Sequence, residues 1–382
     1  MKKRSILLVA LLLSVLLSAC GKKEADSVTE KLAPYAKDGY ITSDEVDIRA
    51  IAVQYMYDMA NIEWTATTLI DYTENGFSRL IYEPGQKYLG MVYNNNQTGL
   101  EVFETVLDEE GNYIGESTSF NSSPGNSCAT SIEHAWQTVS ASVEYHYSMD
   151  MMPWYEETSV VAVGDIDWSL YDGKNTTNSI LKKTDKNVVY EAYAAALPGD
   201  AFMRYQNTGG HALMVTLEPK VVRDSQGNVD PNKSYVYLTD QNCVINTKRE
   251  YPSSWKVDNE VTFAQAYLDG YLPVSTIELQ EGKAPFPTFD VNGAPTAEDL
   301  AKGNLKGSVR CNYCLMTIKA EVTSGDEVVR SVTVHPYARN FGFKTIKMDL
   351  GIADLPEGDY CLTIEATIGF GTEPLLEVEF TK

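Results

Sequence analysis

Basic residues are scarce in this chain. Lysine and arginine number 31 against 53 aspartates and glutamates, giving a net charge of −22. Phosphate backbones are bound by Lys and Arg, so this balance argues against nucleic acid as a partner. Histidine is rarer, with four residues at 134, 146, 211 and 335. Cysteine is also sparse, with six at 20, 128, 243, 311, 314 and 361. No repeated spacing marks a disulfide framework. If Cys20 is set aside, the remainder is odd in number, so at least one thiol stays free unless another chain takes part. Cys311 and Cys314 have the spacing of half a zinc or redox site. No second cysteine pair or nearby histidine completes four ligands, so no metal is expected there.

The N-terminus carries a basic start (Lys2, Lys3, Arg4) and an apolar run from Ser5 to Leu16. The run is short for a stable membrane span and ends in small residues, as in a signal peptide. Leu17, Ser18, Ala19 and Cys20, followed by Gly21, resemble the bacterial lipobox. That resemblance implies a signal peptide over 1–19, cleavage before Cys20, and diacylglycerol on its sulfur. The protein would then sit on the extracytoplasmic face of a cell membrane, held by lipid. Loss of the three basic residues takes the net charge from −22 to −25. Residues 20–40 are polar and read as a flexible tether.

The remaining length suffices for two domains. Thr42 to Glu45 has the form of a capping box. Ile48, Ile51, Ala52, Tyr55, Met56 and Met59 follow at helical spacing. The stretch from Asn121 to Trp136 organises what comes next. Pro124 and Gly125 break the chain, Ser127 can cap a helix, and Cys128 falls in its first turn. Ile132, Ala135, Trp136, Val139 and Val143 make one apolar face, which predicts a helix running to about Tyr147. A thiol at a helix start meets free N–H groups and the positive end of the dipole, and both favour thiolate. The other reading of Cys128 is a buried structural cysteine. The aromatic piece from Glu144 to Tyr155 suits packing, or a groove that stacks on a ligand.

Asn187 to Ala196 reads as a helix. Strands are expected over Ala201–Tyr205, Ala212–Leu217, Tyr235–Thr239 and Tyr271–Leu279, with a short helix at Phe263–Leu268. Helix, insertion and consecutive strands make an α+β pattern over 41–280. Residues 281–303 are rich in Pro, Gly and charge and read as a linker. From 304 to 382, short alternating strands suggest a β-sandwich. There Cys314 falls on an apolar face and Cys361 on a polar one, which disfavours a disulfide between them.

His211 follows a Gly-Gly pair and opens a buried strand pattern. A strand packed on the Cys128 helix can bring the two side chains together, with His211 taking the thiol proton. A third polar group would orient the imidazole. Asp240, at the end of the next expected strand, comes first, Gln241 second and Asn242 third. A satisfied core histidine and a turn aspartate are the structural alternatives.

These pieces resemble the NlpC-type papain-like cell-wall peptidases and the related CHAP amidohydrolases. The matching residues are Ser127-Cys128 at a helix start, Gly199-Asp200 opening a strand, and Gly210-His211-Ala212-Leu213-Met214-Val215 on the next. Tyr88, Gly90 and Tyr93 resemble the segment that precedes the nucleophile. The family's Asp-Cys-Ser-Gly is here Ser127-Cys128-Ala129-Thr130, and the 83 residues from Cys128 to His211 imply an insertion around 150–185. The resemblance implies a papain-like α+β domain that hydrolyses amide bonds in peptidoglycan stem peptides. Cys128 would be nucleophile, His211 base, and Asp240 or Gln241 the third member, with no cofactor. The C-terminal segment resembles the Ig-like sandwiches of bacterial surface proteins. A non-catalytic binding lipoprotein on the same fold, and a transglutaminase-like acyltransferase, are the competing functions.

Overall fold

The computed structural model describes residues 27–42, 44–143, 151–154, 159–170, 177–206 and 209–382. The expected signal peptide, Cys20, His146 and most of the aromatic piece at 144–155 lie outside them. The described chain mixes helices with several β-sheets, so it is α+β.

The chain is folded well before residue 40, which shortens the expected tether. Val28–Leu32 is a short helix with Val28 and Leu32 buried. Its start is held by Glu373, whose carboxylate accepts from the Ser27 hydroxyl at 2.7 Å and the Thr29 N–H at 3.0 Å. Ala36–Lys37, Tyr40–Thr42 and Lys283–Pro285 form a small sheet around buried Ile41. Val28, Leu32 and Ile41 supply the apolar contacts that a polar tether lacks.

Helix α1 spans Ile48–Asn61 and buries Ile48, Ala52, Tyr55, Met56 and Met59. Its cap is Asp47, whose side chain accepts the Ala50 N–H at 2.9 Å. The expected Thr42 capping box is instead a turn, in which the Thr42 carbonyl accepts from Glu45 and Val46. Helix α2 spans Cys128–Gln137 and is shorter than expected. Beyond it, Ser140 and Ser142 bond the Glu278 carboxylate at 2.6 and 2.8 Å. Those side-chain bonds favour irregular backbone over another helical turn. Val139 and Val143 stay buried without belonging to a helix.

Among the described residues, the main sheet has eight strands. They are β1 (Glu63–Thr65), β2 (Lys87–Leu89), β3 (Val160–Ala162), β4 (Ala201–Gln206), β5 (Gly209–Lys220), β6 (Tyr235–Asn246), β7 (Ser253–Thr262) and β8 (Leu272–Thr276). Their order is β1-β2-β7-β6-β5-β4-β8-β3. Both faces are covered, so the core strands alternate between two apolar clusters rather than between core and water. Ala201, Met203, Ala212 and Met214 join the cluster of α1 and α2. Phe202, Leu213, Val215 and Leu238 join the cluster of the helices Lys186–Ala195 and Phe263–Asp269. Two expectations change here. β6 continues to Asn246, which places Asp240 inside the strand rather than at its end. β8 stops at Thr276, which caps the helix Ile277–Glu281. From the expected insertion, β3 adds to the sheet edge beside β8.

Residues 281–303 are not an irregular linker. They contain Lys283–Pro285, strand β9 (Phe289–Asn292), and a helix at Ala297–Ala301 with a Thr296–Asp299 capping box. The Pro and Gly residues hid the alternation of Phe289 and Val291. With β10 (Ser308–Leu315), β11 (Thr317–Ser324), β12 (Glu327–Val334), β13 (Ala338–Gly342), β14 (Asp359–Ile368) and β15 (Gly371–Thr381), β9 builds two sheets. Their orders are β9-β10-β13 and β12-β11-β14-β15, and they share one apolar cluster. Cys361, expected on a polar face, is buried, and Cys128, Cys243, Cys311 and Cys314 are free thiols. This part sits directly against α2. A Cβ built on Gly369 would lie 2.2 Å from the Thr138 carbonyl oxygen, so only glycine permits that approach. The Tyr55 hydroxyl donates to Glu101 at 2.8 Å, and Tyr337 donates to the same carboxylate oxygen.

One buried ion pair locks α1 to the sheet. Arg49 donates to Asp200 at 2.9 Å and to the carbonyls of Pro198 and Leu279, each at 2.8 Å. Burial raises the Asp200 pKa against the pull of Arg49. Removing the guanidinium leaves a buried carboxylate uncompensated, so Arg49→Ala should cost about 3–5 kcal/mol in denaturant unfolding, with Asp200→Asn restoring part of it. A cost below about 1 kcal/mol would contradict a structural role for the pair.

Candidate active site

Cys128 stands where a tied-down loop becomes a helix. The Asn126 N–H donates to the Val92 carbonyl at 3.1 Å, and the Asn94 N–H donates to the Asn126 carbonyl at 2.9 Å. This pairing lays the loop along Val92–Asn94. Gly90, two residues earlier, has φ +77, and a Cβ there would lie 2.3 Å from the Trp255 ring. Ser127 is extended at the N-cap, and its N–H donates to the Thr130 hydroxyl at 2.8 Å. Cys128 is therefore the first helical residue, partly exposed, with first-turn N–H groups that have no intrahelical acceptor.

Strand parity decides the third member. β5 and β6 are antiparallel, with Leu238 opposite Val215 and Thr239 opposite Met214. Continuing that register puts Asp240 opposite Leu213, on the face of the sheet that carries His211. Asp240 Oδ2 lies 2.9 Å from His211 Nε2. Nδ1 is then the ring nitrogen left for Cys128. Asn242, two residues on and on the same face, donates its amide to Asp240 Oδ2. Gln241 faces the other way. Its amide donates to the Met91 carbonyl at 2.8 Å, and it does not reach His211. The carboxylate is enclosed behind the imidazole, with side-chain exposures of 1 % for Asp240 and 16 % for His211.

The electrostatics bind Cys128 to His211. Burial works against a thiolate at Cys128. The charge and hydrogen bond of His211, together with the Ala212 N–H, outweigh it, and the thiol pKa falls below its usual value. Burial also works against an imidazolium at His211, but the Cys128 charge and the Asp240 and Cys128 hydrogen bonds raise its pKa. Opposite shifts of this kind favour a thiolate–imidazolium pair at neutral pH. Elsewhere burial alone dominates: it pushes the Cys311 thiol up to about 11 and the Cys314 thiol up to about 12.

Two tyrosines flank the pair. Burial raises the pKa of Tyr93, and the Cys128 charge adds to it. Tyr271 has its ring 6.3 Å from that of His211. Arg204 is directly opposite His211 on β4, and its guanidinium lies 5.3 Å from the Tyr271 ring centre. Sequence reasoning missed Tyr271 and Arg204. The signal for Arg204 was its place directly after Ala201, Phe202 and Met203, as a charge inside an apolar strand. The other described histidines are elsewhere. His134 is buried against the Gln97 carbonyl and Gln137, with its pKa lowered by burial. His335 bonds Thr317 at 3.0 Å on the C-terminal sheets. Among the described residues, no group of three or more His, Cys, Asp or Glu is placed to hold a metal ion.

No protein-family model matches this chain, and no curated protein matches it.

A depressed thiol pKa has a direct kinetic signature. Above it the thiolate fraction is complete and alkylation is flat with pH; below it the rate falls tenfold per pH unit. With iodoacetamide, the Cys128 limb should lie at lower pH than that of an ordinary thiol, and at pH 7 Cys128 should react at least about tenfold faster than Cys311 or Cys314. In His211→Ala only the Ala212 N–H still opposes burial, so the limb should move to higher pH. Equal labelling of these thiols, or an unmoved limb, would contradict an activated Cys128.

Proposed function

We propose that this protein is a thiol amidohydrolase on a papain-like fold of the NlpC type, followed by an Ig-like sandwich. One observation carries the reading: a helix-start thiol, a strand histidine and a strand aspartate lie in one chain of interactions, Cys128–His211–Asp240. The Cys128 thiolate attacks an amide carbonyl carbon, and the first-turn N–H groups of α2 can hold the developing oxyanion. The C–N bond breaks as His211 gives its proton to the leaving amine, which leaves a thioester on Cys128. Water then attacks the thioester while His211 takes a proton from it. The acid departs, and the thiolate–imidazolium pair is restored. Asp240 holds the ring orientation and stabilises the imidazolium throughout.

The substrate proposed is a peptide amide, with the stem peptides of peptidoglycan as the class that the sequence resemblance implies. The lipobox at Cys20 places the enzyme on the extracytoplasmic membrane surface in this reading. Purified peptidoglycan incubated with the protein and analysed by mass spectrometry should yield new amine and carboxyl ends. Cys128→Ala should abolish them, and Asp240→Asn should slow them by about 10²–10⁴. Gln241→Ala, compared at equal folded fraction, should stay within about threefold of the parent, since Gln241 does not touch the imidazole. Turnover that survives Cys128→Ala would overturn the assignment.

A further inference from the structure

Arg204 is a cation without a counter-ion in an acidic protein. Its Nε is buried and has no hydrogen-bond partner, and among the described residues no carboxylate pairs with it. Buried polar groups are nearly always satisfied, so an orphan of this kind calls for a partner. The position is also specific. Arg204 pairs directly across from His211, and the Tyr271 ring on which it rests is next to the imidazole. The contact with Tyr271 holds the guanidinium near the imidazole, and its unpartnered Nε remains available to an anion. The neighbouring carboxylate, Asp240, is engaged through Oδ2 by His211 and Asn242, and its buried Oδ1 makes no hydrogen bond, to Arg204 or to any other group among the described residues.

We infer that Arg204 is a specificity-determining residue that anchors a substrate carboxylate next to the scissile amide. The ligand is an acidic peptide with a free carboxylate close to the bond to be cut, and the inference rests on the hydrolase reading above. A carboxylate takes the guanidinium fork bidentately, which fixes the peptide relative to Cys128. The surface as a whole carries net negative charge and repels such a ligand. A local, partner-free arginine at the imidazole reverses that repulsion where the reaction occurs.

Two small electrophiles separate this inference from the reading beneath it. Iodoacetate carries the carboxylate, and iodoacetamide is its neutral counterpart. The ratio of their alkylation rates at Cys128 reports the local charge, whereas the iodoacetamide rate alone reports thiolate activation. In Arg204→Gln the iodoacetate-to-iodoacetamide ratio at Cys128 should fall by about five- to tenfold, with the iodoacetamide rate changed less than about twofold. Wild-type protein supplies a second measurement that needs no variant. Added salt should lower the ratio at Cys128, because it screens attraction to Arg204. An unchanged ratio in Arg204→Gln, or a wild-type ratio that rises with salt as net repulsion would dictate, overturns the role of Arg204. Slow iodoacetamide labelling of Cys128 would instead overturn the hydrolase reading.

Discussion

The hydrogen bond between Asp240 and His211 is the constraint on which the rest of the site depends. It occupies one nitrogen of the imidazole and so turns the other toward Cys128. The carboxylate is sealed from water, so its charge acts at short range and low screening on the ring. Once the ring is held there, the thiol at the α2 start meets a cation, a backbone N–H and the helix dipole together. Each alone is a modest effect on a partly buried sulfur. The His211 charge and hydrogen bond and the Ala212 N–H together overcome the burial that would otherwise raise the Cys128 pKa.

That bond in turn depends on the register of the central sheet. Side chains alternate with period two, so a slip of one residue between β5 and β6 would exchange Asp240 for Gln241. Burial of both sheet faces prevents the slip. Leu213 and Leu238 fill one cluster while Ala212 and Met214 fill the other, and neither set fits the opposite layer. Arg49 adds a second lock, joining α1 to the turn that begins β4. The catalytic geometry is thus a by-product of ordinary core packing. The polar groups of the site occupy positions that the same alternation assigns to the His211 face.

Much of this was legible in the sequence because local chemistry spelled it out. A Pro-Gly break, a serine cap and an apolar stripe marked Cys128 as a helix start. A Gly-Gly pair before an apolar run marked His211 as a strand residue. Asp240 ranked ahead of Gln241 there without help from strand parity, since a strand taken to end at Thr239 has no parity beyond it. The long β6 supplies that parity. The helix end at Gln137 was hidden because Ser140 and Ser142 find their partner, Glu278, more than a hundred residues away. The tether and linker readings failed for a related reason. Val28, Ile41, Phe289 and Val291 are too few in any one window to signal structure, and they fold through distant pairing. Arg204 was passed over because a lone arginine has meaning only when its strand neighbour is known to be His211.

The central claim is that Cys128 and His211 share their proton as an ion pair supported by Asp240. Titrating the His211 ring signals by NMR, in the wild type and in Cys128→Ala, tests it most directly. The account predicts that His211 in the wild type remains an imidazolium through pH 8, because the thiolate raises its pKa. In Cys128→Ala that support is gone, and the ring should lose its proton at distinctly lower pH. A His211 ring that titrates at the same pH in both proteins would contradict the account.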